Sequence, residues 1–353
     1  MARYNINNVV SNLALAPYCE EKDPVMKAAI YEKYGPPEVV RVREVAKPSP
    51  KADEVLIEIQ ASTVSSGDWR ARSLDLPPGF GMIGRLMFGI FRPRKPILGT
   101  ELAGVVNAIG KDVTKFKIGD VVFADCGTGF GGHAEYKAMS QDGAIALKPN
   151  NLSIEEAAAL CFGGITALDF LKKMANIQLG EKVLVNGASG ATGTAFVQLA
   201  KYFGAQVTGV CSTPNLDLVK SIGADRTVDY TRMDFTKNGE TYDIIVDTVG
   251  TAPWPRVKAS LSERGRLLVV LGGISDMLLA GFRSRKNGRQ VISGVAGASA
   301  TSLQFLAELA AAGAFKPVID RIYPLEKIVE AHAYVDTGRK KGSVVIVFEN
   351  RDG

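Results

Sequence analysis

The glycine-rich segment Gly187–Gly193, with the sequence GASGATG, is the part of the chain whose residue types and spacing indicate the most specific chemistry. It stands between the apolar run Val183–Asn186 and a stretch with helical periodicity, and a second apolar run, Val207–Val210, follows. In a strand–loop–helix–strand unit, such glycines let backbone N–H groups and the helix N-terminus approach a pyrophosphate. We therefore predict a dinucleotide site formed by Gly187, Ala188, Ser189, Gly190, Ala191, Thr192 and Gly193. The alternative is a glycine-rich turn without a ligand.

The second strand of this unit ends in Cys211-Ser212-Thr213 and carries no Asp or Glu there. Enzymes that select NAD place a carboxylate at this point, where it binds the ribose 2′-hydroxyl and would repel a 2′-phosphate. Ser212 and Thr213 could donate hydrogen bonds to that phosphate, each worth roughly 1.5–3 kcal/mol. The pattern favours NADPH as the cofactor. A capping role for both residues, at the helix that begins near Leu216, is compatible with this prediction.

The cysteines and histidines are scattered and show no metal-ligand spacing. None of the four cysteines forms a CxxC pair, which indicates a reducing compartment rather than a disulfide framework, and we expect a cytoplasmic protein. For the two histidines, His133 and His332, roles in the core or at the surface are favoured. The cysteines are Cys19, Cys126, Cys161 and Cys211.

The elements that must position these residues change character along the chain. Strand-like runs with Gly and Pro between them fill the region from Lys27 to Leu147, and a capping box formed by Ser153 and Glu156 then opens an Ala-rich helix. Strands and helices alternate from there, which predicts an α/β protein with a parallel doubly wound sheet. The β-branched run Gly342–Phe348 is expected to return to the first domain. The predicted units are an extension (1–25), a discontinuous β-rich domain (26–151 and 299–353) and a nucleotide-binding domain (152–298).

The composition agrees with a globular protein of two domains. The chain has 353 residues, 46% hydrophobic and 22% charged, and contains no run of about 18 apolar residues that would predict a transmembrane helix. A net charge of +5 suits a phosphorylated cofactor, although solvated Lys and Arg explain such a surplus equally well. We expect no nucleic-acid partner.

Four further segments, in the same order as in a known family, accompany the nucleotide loop. They are Leu98–Val106 (LGTELAGVV), Lys117–Val122 (KIGDVV), Gly163–Ala167 (GGITA) and Asp247–Gly250 (DTVG). Together they resemble the zinc-free, quinone oxidoreductase-like branch of the medium-chain dehydrogenase/reductase superfamily, and within it the reticulon-interacting oxidoreductases. The resemblance covers residues 26–348. It implies a GroES-like β-rich catalytic domain joined to a Rossmann domain.

The resemblance also implies which residues surround the cofactor and the substrate. The segment around Ser65 and Asp68 is similar to the family's NPxDW-like segment, with Ser65 where Asn is common, and these two residues with Thr166 would position the reactants. Asp68 could equally be a structural turn carboxylate. Tyr230 would approach the 2′-phosphate, and the run Arg339, Lys340 and Lys341 resembles the family's C-terminal basic contact, with Lys341 as the predicted cofactor ligand. The nicotinamide would lie near Thr166 and the following residues: Asp247, Val249, Gly250, Leu271, Gly272 and Gly273.

The same comparison implies a site without zinc. Zinc-dependent relatives have a histidine where this chain has Thr100, and their first cysteine ligand falls near Ser65-Ser66, where a hydroxyl is a poor zinc donor. Without a Lewis acid, the acceptor must take hydride readily, as quinones and enones do. We therefore predict an NADPH-dependent oxidoreductase acting on a small apolar carbonyl compound, with solvent as a source of the proton. The alternatives are a catalytically idle NADPH-binding sensor or interaction protein and a zinc-free alcohol dehydrogenase.

Three apolar segments bear on the surroundings of the site. Phe80–Phe91 and Met277–Phe282 are each followed by Arg and Lys residues. They are core helices with solvated ends in one interpretation; in the other they flank the substrate mouth or touch a membrane surface. Val291–Val295 is expected at the open edge of the parallel sheet, where an apolar strand invites pairing with a second copy. We therefore predict a homodimer.

Overall fold

The computed structural model describes residues 24–273 and 288–349. The predicted extension up to residue 23 and the apolar segment Met277–Phe282 lie outside the described residues. Within them, no helix has the length and apolarity needed to cross a bilayer.

The first domain contains a seven-stranded sheet and a separate two-stranded ribbon. The sheet has the order β14-β15-β3-β4-β5-β7, with β6 paired to β3, and the ribbon pairs β1 with β2. Their bounds are β1 (Val25–Tyr31), β2 (Val40–Ala46), β3 (Glu54–Val64), β4 (Glu101–Ile109), β5 (Val121–Asp125), β6 (Tyr136–Ser140), β7 (Ile145–Leu147), β14 (Ile319–Pro324) and β15 (Ser343–Val347). The C-terminal strand β15 pairs with β3, in register Val344–Val64, as expected from its sequence.

The second domain is a six-stranded parallel sheet in the order β10-β9-β8-β11-β12-β13. Its strands are β8 (Lys182–Asn186), β9 (Gln206–Cys211), β10 (Arg226–Asp229), β11 (Tyr242–Asp247), β12 (Leu261–Val269) and β13 (Gln290–Ser293). The order of connection reverses between β8 and β11. Ligands of open α/β sheets bind outside the carboxyl ends of the strands at such a point. The nucleotide loop follows β8 and the Asp247 loop follows β11, so both lie at this position.

Some helices pack on the parallel sheet and others on the first domain. They are α1 (Ser66–Ser73), α2 (Gly81–Phe88), α3 (Ile154–Ala158), α4 (Cys161–Leu168), α5 (Ala191–Tyr202), α6 (Leu216–Ser221), α7 (Trp254–Val257), α8 (Ala300–Ala311) and α9 (Ile328–Asp336). A π-helical turn, Asp169–Met174, continues α4. The predicted capping box opens α3: the Ser153 side chain accepts from the Glu156 N–H, and the Glu156 carboxylate accepts from the Ser153 N–H.

Several sequence-based expectations differ from the structure. The helix predicted at 256–261 ends before Leu261, which instead opens β12 because it pairs with Tyr242. The short strands β7 and β14 were not predicted, since neither has a clear alternation of apolar residues. The interpretation of Phe80–Phe91 as a core helix is wrong: the segment does form a helix, α2, but most of its large apolar side chains are exposed.

Candidate active site

At two of the three glycines of the nucleotide loop, the packing of the fold itself requires glycine. Gly187 adopts φ +84°, and a Cβ there would lie 2.5 Å from Thr248 Oγ1. A Cβ on Gly193 would lie 2.0 Å from the carbonyl oxygen of Gly187, so α5 can approach the loop closely only with glycine at this position. The side chain of Ala188 is buried, whereas those of Ser189, Ala191 and Thr192 remain half-buried at the surface of the loop.

At Gly190, neither the backbone conformation nor the packing requires glycine. Its φ of −78° suits any residue, and the nearest atom to a Cβ would be 3.7 Å away. No side chain caps α5, which begins immediately after it. The helix therefore presents N–H groups and the positive end of its dipole to an open position where a side chain would interfere, which is the arrangement that a pyrophosphate requires.

Asn215 joins the nucleotide loop to the end of β9. Its Nδ2 donates to Ser189 Oγ at 3.1 Å and to Ser212 Oγ at 3.2 Å. The Asn215 side chain is buried, and its Oδ1 has no hydrogen-bond partner. A buried acceptor without a partner costs free energy, so this oxygen fits a donor from a bound ligand, such as a ribose hydroxyl. The sequence signal for Asn215 was weak because the residue also fits a helix start.

The predicted residues Ser212 and Thr213 have a carboxylate beside them, Asp229, which was not among the predicted site residues. Thr213 Oγ1 donates to Asp229 Oδ2 at 2.5 Å, because β10 lies in parallel register beside β9. The hydrogen bond from Thr213 is the main reason that the pKa of Asp229 is lowered, with Thr231 and Arg232 acting in the same direction. Tyr230, which was also predicted to contact a 2′-phosphate, is exposed.

Asp247 organises the loop after β11. Its buried carboxylate accepts hydrogen bonds from the N–H groups of Val249, Gly250 and Ala252 and from the Asn186 side chain, at 2.7–3.2 Å. These bonds use both of its oxygens, so Asp247 holds the shape of the loop while Val249 and Gly250 form its exposed surface.

The GGITA segment packs α4 against the nucleotide loop. A Cβ on Gly163 would lie 2.7 Å from the Ala191 carbonyl oxygen, and one on Gly164 would lie 2.9 Å from Leu306. Thr166 lies on α4, half-buried, and its Oγ1 donates to the Phe162 carbonyl oxygen at 2.7 Å. The Thr166 hydroxyl proton is therefore committed, and its oxygen can act toward a ligand as an acceptor.

On the catalytic-domain side, Ser65 and Asp68 form the capping box of α1. The Asp68 carboxylate is fully buried and accepts from Ser65 N–H at 2.8 Å, from Ser65 Oγ at 2.6 Å and from Gly99 N–H at 2.8 Å. This geometry supports the structural interpretation of Asp68. Ser65 Oγ also lies 3.4 Å from Thr100 Oγ1, so the two hydroxyls that replace zinc-ligand positions are neighbours.

Glu101 connects the two domains and was not among the predicted site residues. Thr63 Oγ1 donates to its carboxylate, and the N–H of Phe162, at the start of α4, donates at 2.6 Å. Burial raises the pKa of Glu101 to about 8, despite these two hydrogen bonds, which favour the charged form. Its position directly after Thr100 was the available sequence signal.

The basic segment before β15 contacts the nucleotide loop through its backbone. The N–H of Gly342 donates to the Ser189 carbonyl oxygen at 2.9 Å. Lys340 Nζ donates to the Gly342 carbonyl oxygen at 2.9 Å, and burial lowers the pKa of Lys340 to about 8. The predicted Lys341 is instead exposed, and its N–H donates to Asp320. Lys340, rather than Lys341, therefore supports the backbone that contacts the nucleotide loop.

A third contact between the domains lies just after β12. Leu271 and Gly272 follow β12 and are half-buried, and Gly273 is buried. A Cβ on Gly273 would lie 2.8 Å from the Pro78 carbonyl oxygen, in the loop between α1 and α2. The structure thus brings the predicted cofactor turn against the segment that leads into α2.

Metal binding has no candidate cluster in the part of the chain that the structure describes, where no three His, Cys, Asp or Glu side chains are grouped to hold an ion. His133 Nε2 lies 2.8 Å from the Thr63 carbonyl oxygen, and its ring contacts that of His332 in the core. Freedom from zinc stays a prediction, which metal analysis of the purified protein would test.

Two family models match the chain. The model described as alcohol dehydrogenase GroES-like domain matches residues 51–149, and the model described as zinc-binding dehydrogenase matches residues 222–346. The first match falls on the domain with the seven-stranded sheet. The second includes most of the later strands of the parallel sheet and the return to the first domain.

Individual relatives match over nearly the whole chain. A 2-methylene-furan-3-one reductase from Solanum lycopersicum is 34% identical over 91% of this chain and 79% of its own length. A quinone oxidoreductase from Homo sapiens is 31% identical over 89% of this chain and 95% of its own length. Among solved structures, the quinone oxidoreductase from Coxiella burnetii superposes with a TM-score of 0.81, at 27% identity, over 92% of this chain and all of that one.

Proposed function

Because the chain belongs to the quinone oxidoreductase branch of the medium-chain dehydrogenase/reductase superfamily, we propose that it reduces a small apolar quinone or enone with NADPH as the electron donor. The observation that carries the proposal is the set of contacts by which the two domains meet. The nucleotide loop contacts Gly342 in one region, and the Ser65–Thr100 pair lies near the Phe162 end of α4 in another. A dinucleotide bound between the domains would reach from one region to the other.

The residues present fit such a cofactor. Gly190 leaves space for a pyrophosphate at the start of α5, and the unpartnered Asn215 Oδ1 offers an acceptor beside Ser189 and Ser212. When bound, the reduced nicotinamide would supply the hydride. The chain's own contribution is to bind and orient the two reactants and to exclude water from between them.

We propose that the Thr100 hydroxyl donates a hydrogen bond to the carbonyl oxygen of the acceptor. The protons of Ser65 and Thr166 are committed to Asp68 and to the Phe162 carbonyl. Within the described residues, the only side-chain partner of Thr100 Oγ1 is Ser65 Oγ, at the long distance of 3.4 Å. Thr100 can therefore turn its proton toward a substrate oxygen, where negative charge develops as hydride arrives.

The preference for NADPH over NADH is the finer part of the proposal. Ser212 Oγ accepts a hydrogen bond from Asn215 and can donate its own to a 2′-phosphate, whereas the Thr213 hydroxyl already donates its hydrogen bond to Asp229. The Asp229 charge opposes the phosphate, with Arg232 Nε 3.6 Å away as partial compensation. We expect NADPH to be preferred, by less than the roughly hundredfold that two good hydrogen bonds would provide.

The test is kcat/KM for NADPH and NADH against a panel of quinones, enones and aldehydes. We expect turnover of quinones or enones with NADPH, a reversed preference in Ser212→Asp and an increased NADPH preference in Asp229→Asn. Equal kcat/KM for both cofactors would overturn the NADPH assignment. Tight NADPH binding without turnover of any acceptor would identify a binding protein and overturn the proposed reaction.

We also propose a homodimer through β13. This strand pairs with β12 on one side and stands last in the strand order, and Val295, two residues beyond its end, is exposed. Light scattering at micromolar concentration should give twice the chain mass. A monomer mass there would overturn this assembly.

A further inference from the structure

Helix α2 presents its apolar side chains away from the protein. The inner face consists of Gly84 and Phe88, one turn apart: a Cβ on Gly84 would lie 1.9 Å from Leu76, and the Phe88 ring packs against Phe130. The end of the helix is fixed by Tyr34, whose hydroxyl donates to the Gly89 carbonyl oxygen at 2.8 Å. The helix is thus attached to the domain by one narrow side.

The opposite face is large, apolar and exposed. Met82 is 78% exposed, and Phe91, just beyond the helix, is 93% exposed. The remaining members of this face are about half exposed: Ile83, Leu86, Met87 and Ile90. At 100° per residue, the helical members lie on one arc, opposite Gly84 and Phe88. A contiguous exposed apolar face of this kind marks an interaction site rather than ordinary surface.

The charges beside this face have one sign. Between Leu76 and Gly99 the sequence contains four basic residues and no acidic residue. The basic residues are Arg85, Arg92, Arg94 and Lys95, all exposed, and none of them forms an ion pair with any residue in 24–273 or 288–349. Apolar side chains surrounded by uncompensated cations are the combination that binds the surface of an anionic bilayer.

We propose that this surface, which we call the α2 face (residues 82–95), docks the protein on an anionic lipid bilayer. The apolar side chains enter the interface and the four cations contact lipid headgroups. A second copy of the chain is a poorer occupant, because two α2 faces would bring eight cations together. Pro78, three residues before α2, contacts Gly273 of the predicted cofactor turn, so a docked protein would hold this turn close to lipophilic compounds in the bilayer. The docking itself does not depend on the proposed reaction.

The test measures binding of the full-length protein to vesicles by co-sedimentation. The probes are vesicles of phosphatidylcholine alone and of phosphatidylcholine mixed with phosphatidylglycerol, at low and high salt. We expect at least tenfold stronger binding to the anionic vesicles, with release at high salt, because headgroup attraction is screened. Binding that is equal for both vesicles, or absent, would overturn the proposal.

Two double variants test the apolar area and the positive charge of the α2 face separately. Met82→Ser with Phe91→Ser deletes apolar area, and Arg92→Glu with Lys95→Glu reverses charge; each should weaken binding at least tenfold. The matched controls lie in the turn after β4, at the opposite end of that strand from Glu101: Ile118→Ser, and Lys111→Glu with Lys117→Glu. Controls that lose as much binding as the α2 variants would overturn the assignment to this face.

A readout in solution distinguishes this proposal from the proposed function. All variants should keep the wild-type melting temperature and the wild-type rate with a water-soluble acceptor, since the changed side chains are exposed and none is assigned a contact with the cofactor or the substrate. If the protein has no reductase activity, the vesicle comparison still decides the docking. Self-association that is abolished by the α2 variants, with no vesicle binding, would identify a second copy as the occupant and overturn the bilayer.

Discussion

The two sides of the interface between the domains are held in shape by different means. On the nucleotide side, Gly187 and Gly193 let backbone segments approach closely, and Gly190 leaves open space at the start of α5. On the catalytic-domain side, buried side chains such as Asp68 and Glu101 hold one another through hydrogen bonds. A glycine loop fails through steric conflict, whereas a buried polar cluster fails through unpaired groups or altered protonation. Substitutions on the two sides should therefore have different signatures.

The largest effect is expected at Gly193. Gly193→Ala places a Cβ 2.0 Å from the Gly187 carbonyl oxygen, so the loop or α5 must move, and we expect a loss of about 1–3 kcal/mol in the free energy of unfolding. Gly190→Ala is the matched control: its Cβ meets no atom nearer than 3.7 Å, so stability should change little while NADPH affinity falls more than tenfold. Thermal unfolding without cofactor and fluorescence titration with NADPH measure the two quantities. A stable Gly193→Ala protein would contradict the comparison.

The second effect concerns Glu101 and pH. Its pKa rises from 4.5 to about 8 on folding, so the folded protein binds more protons than the unfolded chain between those values. The Glu101 contribution to stability is therefore complete below pH 4.5 and is lost as the pH rises toward 8, by a few kcal/mol in all (roughly 1.4 per pKa unit).

Glu101→Gln should remove this decline. Urea unfolding of wild type and variant at several pH values gives the difference in stability, in which the contributions of groups that do not interact with Glu101, such as His332, cancel. The wild type should lose stability relative to Glu101→Gln as the pH rises from 6 to 8. A constant difference across that range would show that Glu101 is already ionised in the folded protein.

A third effect, on stability alone, is expected at Asp68. Asp68→Asn keeps the size of the side chain but replaces one accepting oxygen with a donor, which faces the N–H or hydroxyl donors of Ser65 and Gly99. We expect about 1–3 kcal/mol lower stability and an unchanged kcat at permissive temperature. If Asp68→Asn abolishes kcat while the melting temperature is unchanged, the residue acts on the reactants and the capping role is insufficient.

The smallest effect separates the two lysines before β15. Lys340 Nζ supports the Gly342 backbone that contacts the nucleotide loop, so Lys340→Met should weaken NADPH binding by about threefold to tenfold. Lys341 is exposed, and Lys341→Met should change the affinity by less than about twofold. Isothermal titration at two salt concentrations measures both. The reverse order would restore the sequence-based choice of Lys341.

Much of the fold was predictable because its signals are local. Val183–Asn186 followed by Gly187–Gly193 specifies a strand and a turn through apolar spacing and conformational freedom, and the box of Ser153 and Glu156 marks a helix start within four residues. The return of β15 was also predictable, since its β-branched residues required a sheet. The resemblance to known motifs then identified the general position of the cofactor.

The roles of the polar residues were decided only by contacts between distant segments. Asp229 reaches Thr213 because two parallel strands lie in register, and Glu101 meets Phe162 because α4 crosses from the other domain. The exposure of α2 follows from Gly84 packing on Leu76, which leaves its apolar residues without a partner in the described chain. Sequence alone determined which groups were present and the local backbone. Tertiary structure determined which protons were already committed, which charges were buried and which apolar face stayed exposed, because those properties depend on neighbours far away in the chain.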